Sequence, residues 1–317
     1  MSRTCDAEPD PRTEEPPVPR PPTASNWFSI LALGLIWGGT FMVVSIALRG
    51  YGPLTVAAAR TSLGALALIG LAWSLGRPLP DFSARLGKYL IWIGLLSTAL
   101  PFTLLSWGQQ HVPSAFAGLS MAAVPLFVVP LANFTTDERW TWRSAVGVTL
   151  GFAGAAVLIG PGVLNLGGGA EPLAQLACIA AALSYAISSV MTLRCPPVDP
   201  IVLSAISLLV GAAALLPAML VVEGVPGAAS PDAMWAILFL GLVPTALAAL
   251  LRVAVIQSAG SVFMTLVNYQ VPVWSMIFGA LVLSEALPLR FFAALALILT
   301  GIAVSQAPQV RRLLGRA

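Results

Sequence analysis

Apolar residues occur along this chain in long uninterrupted runs rather than in the alternating patterns of soluble strands and helices. Beyond Asn26, runs of about 18 to 24 apolar residues follow one another, and a helix of roughly 20 such residues crosses a hydrocarbon core of about 30 Å. We therefore predict an all-α polytopic membrane protein with ten transmembrane helices. The predicted spans are 27–48, 54–75, 88–110, 114–134, 142–160, 172–193, 200–222, 233–256, 261–283 and 289–306.

The segments outside these runs predict two tails. Residues 1–26 contain seven prolines and eight charged residues, a composition that cannot bury a core and predicts a disordered, proline-rich cytoplasmic tail. Residues 307–317 form a short basic tail. A signal peptide would place its apolar region directly after a short basic start, so we expect the first helix to stay in the protein.

Composition excludes an ordinary soluble domain. The 317 residues are 58% hydrophobic and 9% charged, against about 45–50% and about 25% in soluble proteins, so the lipid bilayer is the expected surrounding. The net charge of +3 does not indicate a nucleic-acid partner, because the basic residues are scattered in ones and twos between apolar runs. The three cysteines have no spaced arrangement that predicts disulfides.

The distribution of lysine and arginine predicts the orientation. With a cytoplasmic N-terminus, twelve basic residues lie in cytoplasmic segments and only Arg49 and Arg290 lie outside, as the positive-inside rule requires. We therefore expect a multi-pass protein of the bacterial plasma membrane, the inner membrane, with both termini in the cytoplasm.

The chain contains an internal repeat with a period of 147 residues, which divides it into halves at 27–160 and 172–306. Each half contains five predicted spans, an odd number, so the second half must enter the membrane inverted. Inverted repeats can exchange conformations and open a central site to one side and then to the other. The matched pairs include Pro53 with Pro200, Gly64 with Gly211, Gly94 with Gly241, Pro125 with Pro272, Glu138 with Glu285 and Gly154 with Gly301.

Several of these residues resemble the EamA-type drug/metabolite transporters. The residues that carry the resemblance are Trp37-Gly38-Gly39-Thr40-Phe41, Pro53 with Arg60, Pro125 with Glu138, Gly147, Gly151 and Gly154, and in the second half Pro272, Glu285 and Gly301. The resemblance covers residues 30–306. It implies a ten-helix inverted-repeat fold that moves small metabolites, often outward, through a cavity lined by the first four helices of each half. The second half lacks the Trp-Gly pair near Ser184 and has Ser207 in place of an arginine.

Arg60 is the first candidate for binding a substrate. It lies about six residues inside the second predicted span, and no predicted span contains an aspartate or glutamate to pair with it. A charge at that depth is unfavourable unless it faces a wet cavity or polar partners. It could anchor a substrate carboxylate or phosphate, or it could extend towards the membrane surface or bond to helix carbonyls. Arg252, nearer a helix end, is a weaker candidate.

Polar and aromatic residues supply the other candidates. Asn268 and Gln270 precede Pro272 in an otherwise apolar span, so they could line the cavity or only bond between helices. Trp37 and Tyr185 could stack on a substrate or serve in packing. We interpret Pro125 and Pro272 as kinks at corresponding places, either hinges or static bends. Two further residues, Glu138 and Glu285, are expected to cap helices five and ten.

The sequence offers no cofactor or metal site. It contains no phosphate-binding loop for ATP, and its single histidine, His111, cannot form a zinc protease motif. We expect a secondary transporter for small metabolites such as amino acids, working outward by alternating access, and not an enzyme. A non-transporting scaffold and an intramembrane serine protease built on His111 and Ser120 are the alternatives. The sequence does not indicate the oligomeric state.

Overall fold

The computed structural model describes residues 22–133, 141–160 and 169–313, and within these ranges all regular structure is helical. The helices are α1 (Ala24–Ala47), α2 (Pro53–Ser74), α3 (Ala84–Gly108), α4 (Ser114–Met121 and Val124–Asn133), α5 (Trp142–Ile159), α6 (Glu171–Arg194), α7 (Pro200–Val222), α8 (Pro231–Ala259), α9 (Val267–Leu283, preceded by the turn of helix Ser261–Met264) and α10 (Leu289–Leu313).

The prediction of an all-helical, multi-pass membrane protein is confirmed for the described residues. Nine of the helices within them are long and apolar enough to cross a membrane, and α9 is a shorter apolar helix of 17 residues. The first helix begins at Ala24, before the predicted start of the first span, and the last helix extends to Leu313, beyond the predicted end of the last span. Glu138 and most of the predicted N-terminal tail lie outside the described residues.

The helices of the two halves begin at equivalent residues. The starts of α1 to α5 are Ala24, Pro53, Ala84, Ser114 and Trp142, and adding 147 to each number gives Glu171, Pro200, Pro231, Ser261 and Leu289. Each of these ten residues begins a helix. The sequence repeat is therefore also a repeat of local structure, and it includes α1 and α6, which have 24 residues each.

Helix α4 is interrupted beside its proline, whereas α9 is continuous through Pro272. In α4 the chain leaves the helical conformation at Ala122–Ala123, because Pro125 has no N–H and its ring would clash with the carbonyl of residue 121. In α9 the helix Val267–Leu283 contains Pro272, and the preceding break is at Thr265–Leu266. The two interruptions do not lie at equivalent places, so matching kinks at the two prolines stay a prediction.

Helices pack across the two halves more than within them. The most extensive contacts join α5 to α10, α2 to α7 and α1 to α9. Glycines permit the closest approach: a Cβ atom added at Gly147 in α5 would lie 2.5 Å from the carbonyl oxygen of Gly301 in α10. Small residues at such contacts let backbones meet without lipid between them, so the halves form one bundle.

Candidate functional site

Arg60 is buried in the middle of the bundle. Its side chain is 6% exposed, and its Cζ atom lies 3.9 Å from the ring centroid of Phe102 in α3. The buried Nε atom has no hydrogen-bond partner among the described residues, and no carboxylate of those residues forms a salt bridge with it. A guanidinium over an aromatic face is stabilised by the ring quadrupole, but its hydrogen-bonding capacity remains available to a ligand.

Tyr185 of α6 completes this cluster from the other half of the chain. It packs against the apolar group that contains Phe102, Ala57 and Ala58, and Phe102 is the ring over which the Arg60 guanidinium lies. The structure therefore brings together two predicted residues, Arg60 and Tyr185. Phe102 was missed, because an aromatic residue in a membrane helix is more often packing and nothing in its neighbourhood distinguishes it.

Two π-helical segments border this region, and neither was predicted. They are Leu95–Ala99 within α3 and Gly241–Leu247 within α8, at equivalent places in the two halves. A wider turn leaves some carbonyl oxygens without their usual helical partner, and such segments occur often at functional sites. The matched Thr98 and Thr245, each bonded to a carbonyl of its own helix, are a signal that could have drawn attention to these segments.

Trp37 reaches the π-helical segment of α8. Its indole Nε1 donates a hydrogen bond to the Pro244 carbonyl oxygen over 3.2 Å, and its ring packs against the largest apolar cluster of the bundle. The same segment lies against α2, since a Cβ atom at Gly241 would be 3.3 Å from the Arg60 carbonyl oxygen. Trp37 therefore lies near the Arg60 region, although its N–H is already engaged by the protein.

Asn268 and Gln270 lie on α9 and show no contact with the Arg60 cluster. The Gln270 side chain lies against Gly34 of α1, and its Nε2 donates to the Ile30 carbonyl oxygen over 3.4 Å. This is the bonding between helices that the sequence left open as an alternative. Asn268 is half-buried in the first turn of α9, and Arg252, the weaker arginine candidate, is exposed on the side of α8.

Two glutamates join the halves at one end of the bundle. The Glu223 carboxylate, at the end of α7, accepts hydrogen bonds from the Leu54 and Thr55 amides, both over 2.8 Å. Glu285 accepts from the Ser114 and Ala115 amides over 2.7 and 3.0 Å. Neither α2 nor α4 has a side-chain cap of its own, so a carboxylate from the other half satisfies the first amides and the positive end of each helix dipole.

The expectation that Glu285 caps α10 is therefore wrong. The residue follows α9, with Ser284 in the left-handed conformation at φ 55°, and this turn directs its carboxylate towards α4. The sequence interval between Glu285 and α10 suggested a local cap, whereas the long-range partner cannot be inferred from spacing. At the opposite end of the bundle, Arg77 Nη1 lies 3.4 Å from an Asp199 carboxylate oxygen.

The arrangement at the centre offers groups that can bind a solute. Within the described ranges, no group of three or more histidine, cysteine, aspartate or glutamate side chains is placed to hold a metal ion. What the cluster offers is a buried cation with a free donor, two aromatic faces and a phenol hydroxyl. These groups suit recognition of a small anionic or zwitterionic solute with an apolar part.

Comparison with known proteins agrees with this fold and composition. A model of the EamA-like transporter family matches residues 26–160 and again 172–306. The chain therefore belongs to the EamA-like transporter family, as its motifs indicated, and is a multi-pass membrane protein of a family of transporters.

Individual relatives carry transporter names. An uncharacterized transporter of Bacillus subtilis, YoaV, is 27% identical over 86% of this chain and 94% of its own length. The uncharacterized inner membrane transporter YedA of Escherichia coli is 26% identical over 86% and 88%. A probable terminal-alkyne amino-acid exporter of Streptantibioticus cattleyicolor is 32% identical, but over only 42% of this chain and 43% of its own length.

A solved crystal structure shares the fold. It superimposes with a TM-score of 0.64 over 90% of this chain and 99% of its own, at 22% sequence identity. At that identity the likeness supports the arrangement of the helices and carries no information on the substrate.

Proposed function

We propose that this protein is a secondary transporter that exports small metabolites with a carboxylate or phosphate group, amino acids among them, by alternating access. The observation that carries the proposal is Arg60, a buried guanidinium with an unpartnered Nε between residues of both halves. A protein rarely keeps such a group in a membrane unless it serves a solute or a charge pathway. The amino-acid class is also supported by the name of the exporter that matches part of the chain.

The proposed mechanism needs two halves with opposite orientation. Helix starts 147 residues apart, paired π-helical segments and contacts such as α1 with α9 and α4 with α6 are expected of two bundles related by a twofold axis in the membrane plane. We take α9 as the tenth span, with its shorter length made up by Ser261–Met264.

The basic residues support a cytoplasmic position for both termini. Arg77, Lys88 and Arg194 lie at the same end of the bundle as Asp199, and Glu223 and Glu285 lie at the other. Under the positive-inside rule the first end faces the cytoplasm. The two glutamate contacts then close the external end, and export requires them to open after the solute has bound near Arg60. Pro125 and Pro272 remain the proposed hinges.

Each residue of the proposed site has its own role in binding the solute. Arg60 would hold the anionic group, while Tyr185 and Phe102 would contact the apolar part of the solute. Trp37 would border the site and support the π-helical segment through Pro244. Asn268 and Gln270 would line the path along α1 and α9 towards the cytoplasmic end.

Export from cells tests the proposal. Metabolites inside and outside cells that produce the protein should be quantified and compared with cells producing Arg60→Gln, Arg60→Lys or the matched control Arg252→Gln. One charge-assisted hydrogen bond is worth about 1.5–3 kcal/mol, so Arg60→Gln should lower export of the affected class by roughly tenfold or more. Arg60→Lys should restore part of it, since lysine keeps the charge without the planar donors.

The outcome also separates the alternatives. Full export by Arg60→Gln present in the membrane at the normal amount would refute the role of Arg60. Absence of flux for every solute, both in cells and in liposomes that contain the purified protein, would favour a non-transporting scaffold. Cleavage of a membrane substrate lost in Ser120→Ala would favour the protease.

A further inference from the structure

A side cavity of about 360 Å³ opens at the end of the bundle that carries Arg77 and Asp199, and neither Arg60 nor Tyr185 lines it. Residues of α3, α4 and α6 line it, with α6 in contact with both of its neighbours. Its volume is at the lower end of the roughly 300–1,000 Å³ found for small-molecule pockets. The lining residues are Lys88, Tyr89, Trp92, Leu131, Ile187, Val190, Met191 and Arg194.

The chemistry of the cavity changes in order along the helix axes. Lys88, the only lysine of the sequence, lies in the second turn of α3, and Arg194 is the last residue of α6. Both are exposed. Trp92 lies one turn farther along α3, about 6 Å at a rise of about 1.5 Å per residue. The side chains beyond are apolar, with Ile187, Val190 and Met191 on one face of α6.

That order matches the order of groups in an anionic phospholipid. Cations stand where a headgroup phosphate would lie, aromatic rings of the kind enriched at membrane interfaces follow, and an apolar slot lies at the depth of the acyl chain. Basic pockets between helices on the cytoplasmic side are known places for anionic headgroups. We propose that this cavity binds an anionic phospholipid, with its phosphate at Lys88 and Arg194 and part of an acyl chain between α3, α4 and α6.

The internal repeat shows that the two cations are confined to one end of the bundle. The positions equivalent to Lys88 and Arg194 in the other half are Trp235 and Ala47, and neither can hold an anion. This is the asymmetry that the positive-inside rule expects of a cytoplasmic end, and it leaves the equivalent place in the other half without a cation for an anionic headgroup. Only the choice of leaflet rests on the orientation proposed above.

Lipid retention by the purified full-length protein tests the site. The protein should be mixed with phosphatidylglycerol or phosphatidylcholine in detergent, and the lipids that remain bound counted by native mass spectrometry. We expect the wild-type protein to retain phosphatidylglycerol preferentially. Since one basic residue near a membrane surface contributes about fivefold to binding of anionic lipid, Lys88→Gln should lower retention about fivefold.

Two variants make the result specific. Arg85→Gln removes a cation from the same end of α3 but outside the cavity, so it should retain as much lipid as the wild-type protein. Met191→Trp should fill the slot and lower lipid retention although both cations remain. If Met191→Trp is not recovered folded, Ile187→Phe is used in its place. Equal retention by Lys88→Gln and Arg85→Gln would overturn the proposal.

A soluble anion must also be distinguished from a lipid. Glycerol phosphate carries the phosphate group without an acyl chain, and we expect it not to displace phosphatidylglycerol at millimolar concentration. Displacement by glycerol phosphate as effective as that by added phosphatidylglycerol would refute a lipid site. Because the readout is bound lipid and not flux, failure of this proposal and failure of the proposed transport function give different results.

Discussion

Trp37 and Ser184 occupy equivalent positions in the two halves, and each donates a hydrogen bond to a carbonyl oxygen in a π-helical segment of the opposite half. The Trp37 indole bonds to Pro244 over 3.2 Å, and the Ser184 hydroxyl bonds to Leu96 over 2.8 Å. The two residue types differ, but both supply a donor to such a segment. A π-helical turn presents carbonyls that its own helix does not satisfy. These bonds join α1 to α8 and α6 to α3.

Removal of either donor should therefore lower stability. Trp37→Phe keeps most of the ring and loses the N–H, and Ser184→Ala loses the hydroxyl. Hydrogen bonds between membrane helices contribute about 0.6 kcal/mol on average and up to about 1.7, so each variant should unfold at a lower temperature than the wild-type protein in detergent. Ser189→Ala is the control, since that hydroxyl bonds only to Tyr185 in its own helix. If Trp37→Phe unfolds at the wild-type temperature, the hydrogen bond does not stabilise the protein, and stacking on the substrate would explain the presence of Trp37 better.

The positions of the helices could be predicted from the sequence, whereas several contacts of the site could not. Apolar runs and the 147-residue repeat were enough to place the helices, since membrane thickness restricts span length. The sequence left open whether Arg60 faces a site or extends to the membrane surface, and its burial is seen only in the structure. The contact between Arg60 and Phe102, the carbonyl partner of Trp37 and the long-range partner of Glu285 depend on which helices meet, and local spacing does not determine that.

Glu285 should control the opening of the end of the bundle at which it lies. Glu285→Gln keeps the shape but replaces charge-assisted bonds to Ser114 and Ala115 by neutral ones, and charged hydrogen bonds are worth about twice as much. We expect a larger population in which this end is open. Spin labels at Gln110→Cys and Ala286→Cys, both exposed at this end, should report longer distances in a background without native cysteines.

The matched control is Glu171→Gln. Glu171 is exposed at the start of α6, and its carboxylate accepts a hydrogen bond from Gln175 of the same helix, so its loss should not change the distance between the labels. If Glu285→Gln gives the wild-type distance distribution, the contact is a passive cap and not a gate.

Glycine at the contact of α5 and α10 should be required for packing. Gly147→Ala places a methyl group against the Gly301 carbonyl, so the helices must separate, and overpacking of this kind costs about 1–3 kcal/mol. We expect a marked loss of thermal stability in detergent. Gly70→Ala in α2 is the control, because nothing lies within 4 Å of the added atom and alanine favours helix by about 0.5–1 kcal/mol. A tolerated Gly147→Ala would show that the two helices can slide apart at little cost.

Cys195 offers a direct test of orientation. It lies in the connection between α6 and α7, half-buried, whereas Cys178 is fully buried, so in a Cys5→Ser background only Cys195 should react with a maleimide that does not cross membranes. We expect labelling in inverted vesicles and none in intact cells. Burial raises the pKa of the Cys195 thiol, and since the thiolate is the reactive form, labelling should be slower near neutral pH than for a free cysteine and should accelerate as the pH rises.

A cysteine at the opposite end provides the reciprocal measurement. Gln110→Cys, in a background that also carries Cys195→Ser, lies in the exposed connection between α3 and α4 and should react from outside intact cells. Labelling of Cys195 from outside, together with labelling of the introduced cysteine only in inverted vesicles, would reverse the orientation. The glutamate contacts would then close the cytoplasmic end, and the same alternating-access cycle would have to begin with solute bound from the exterior.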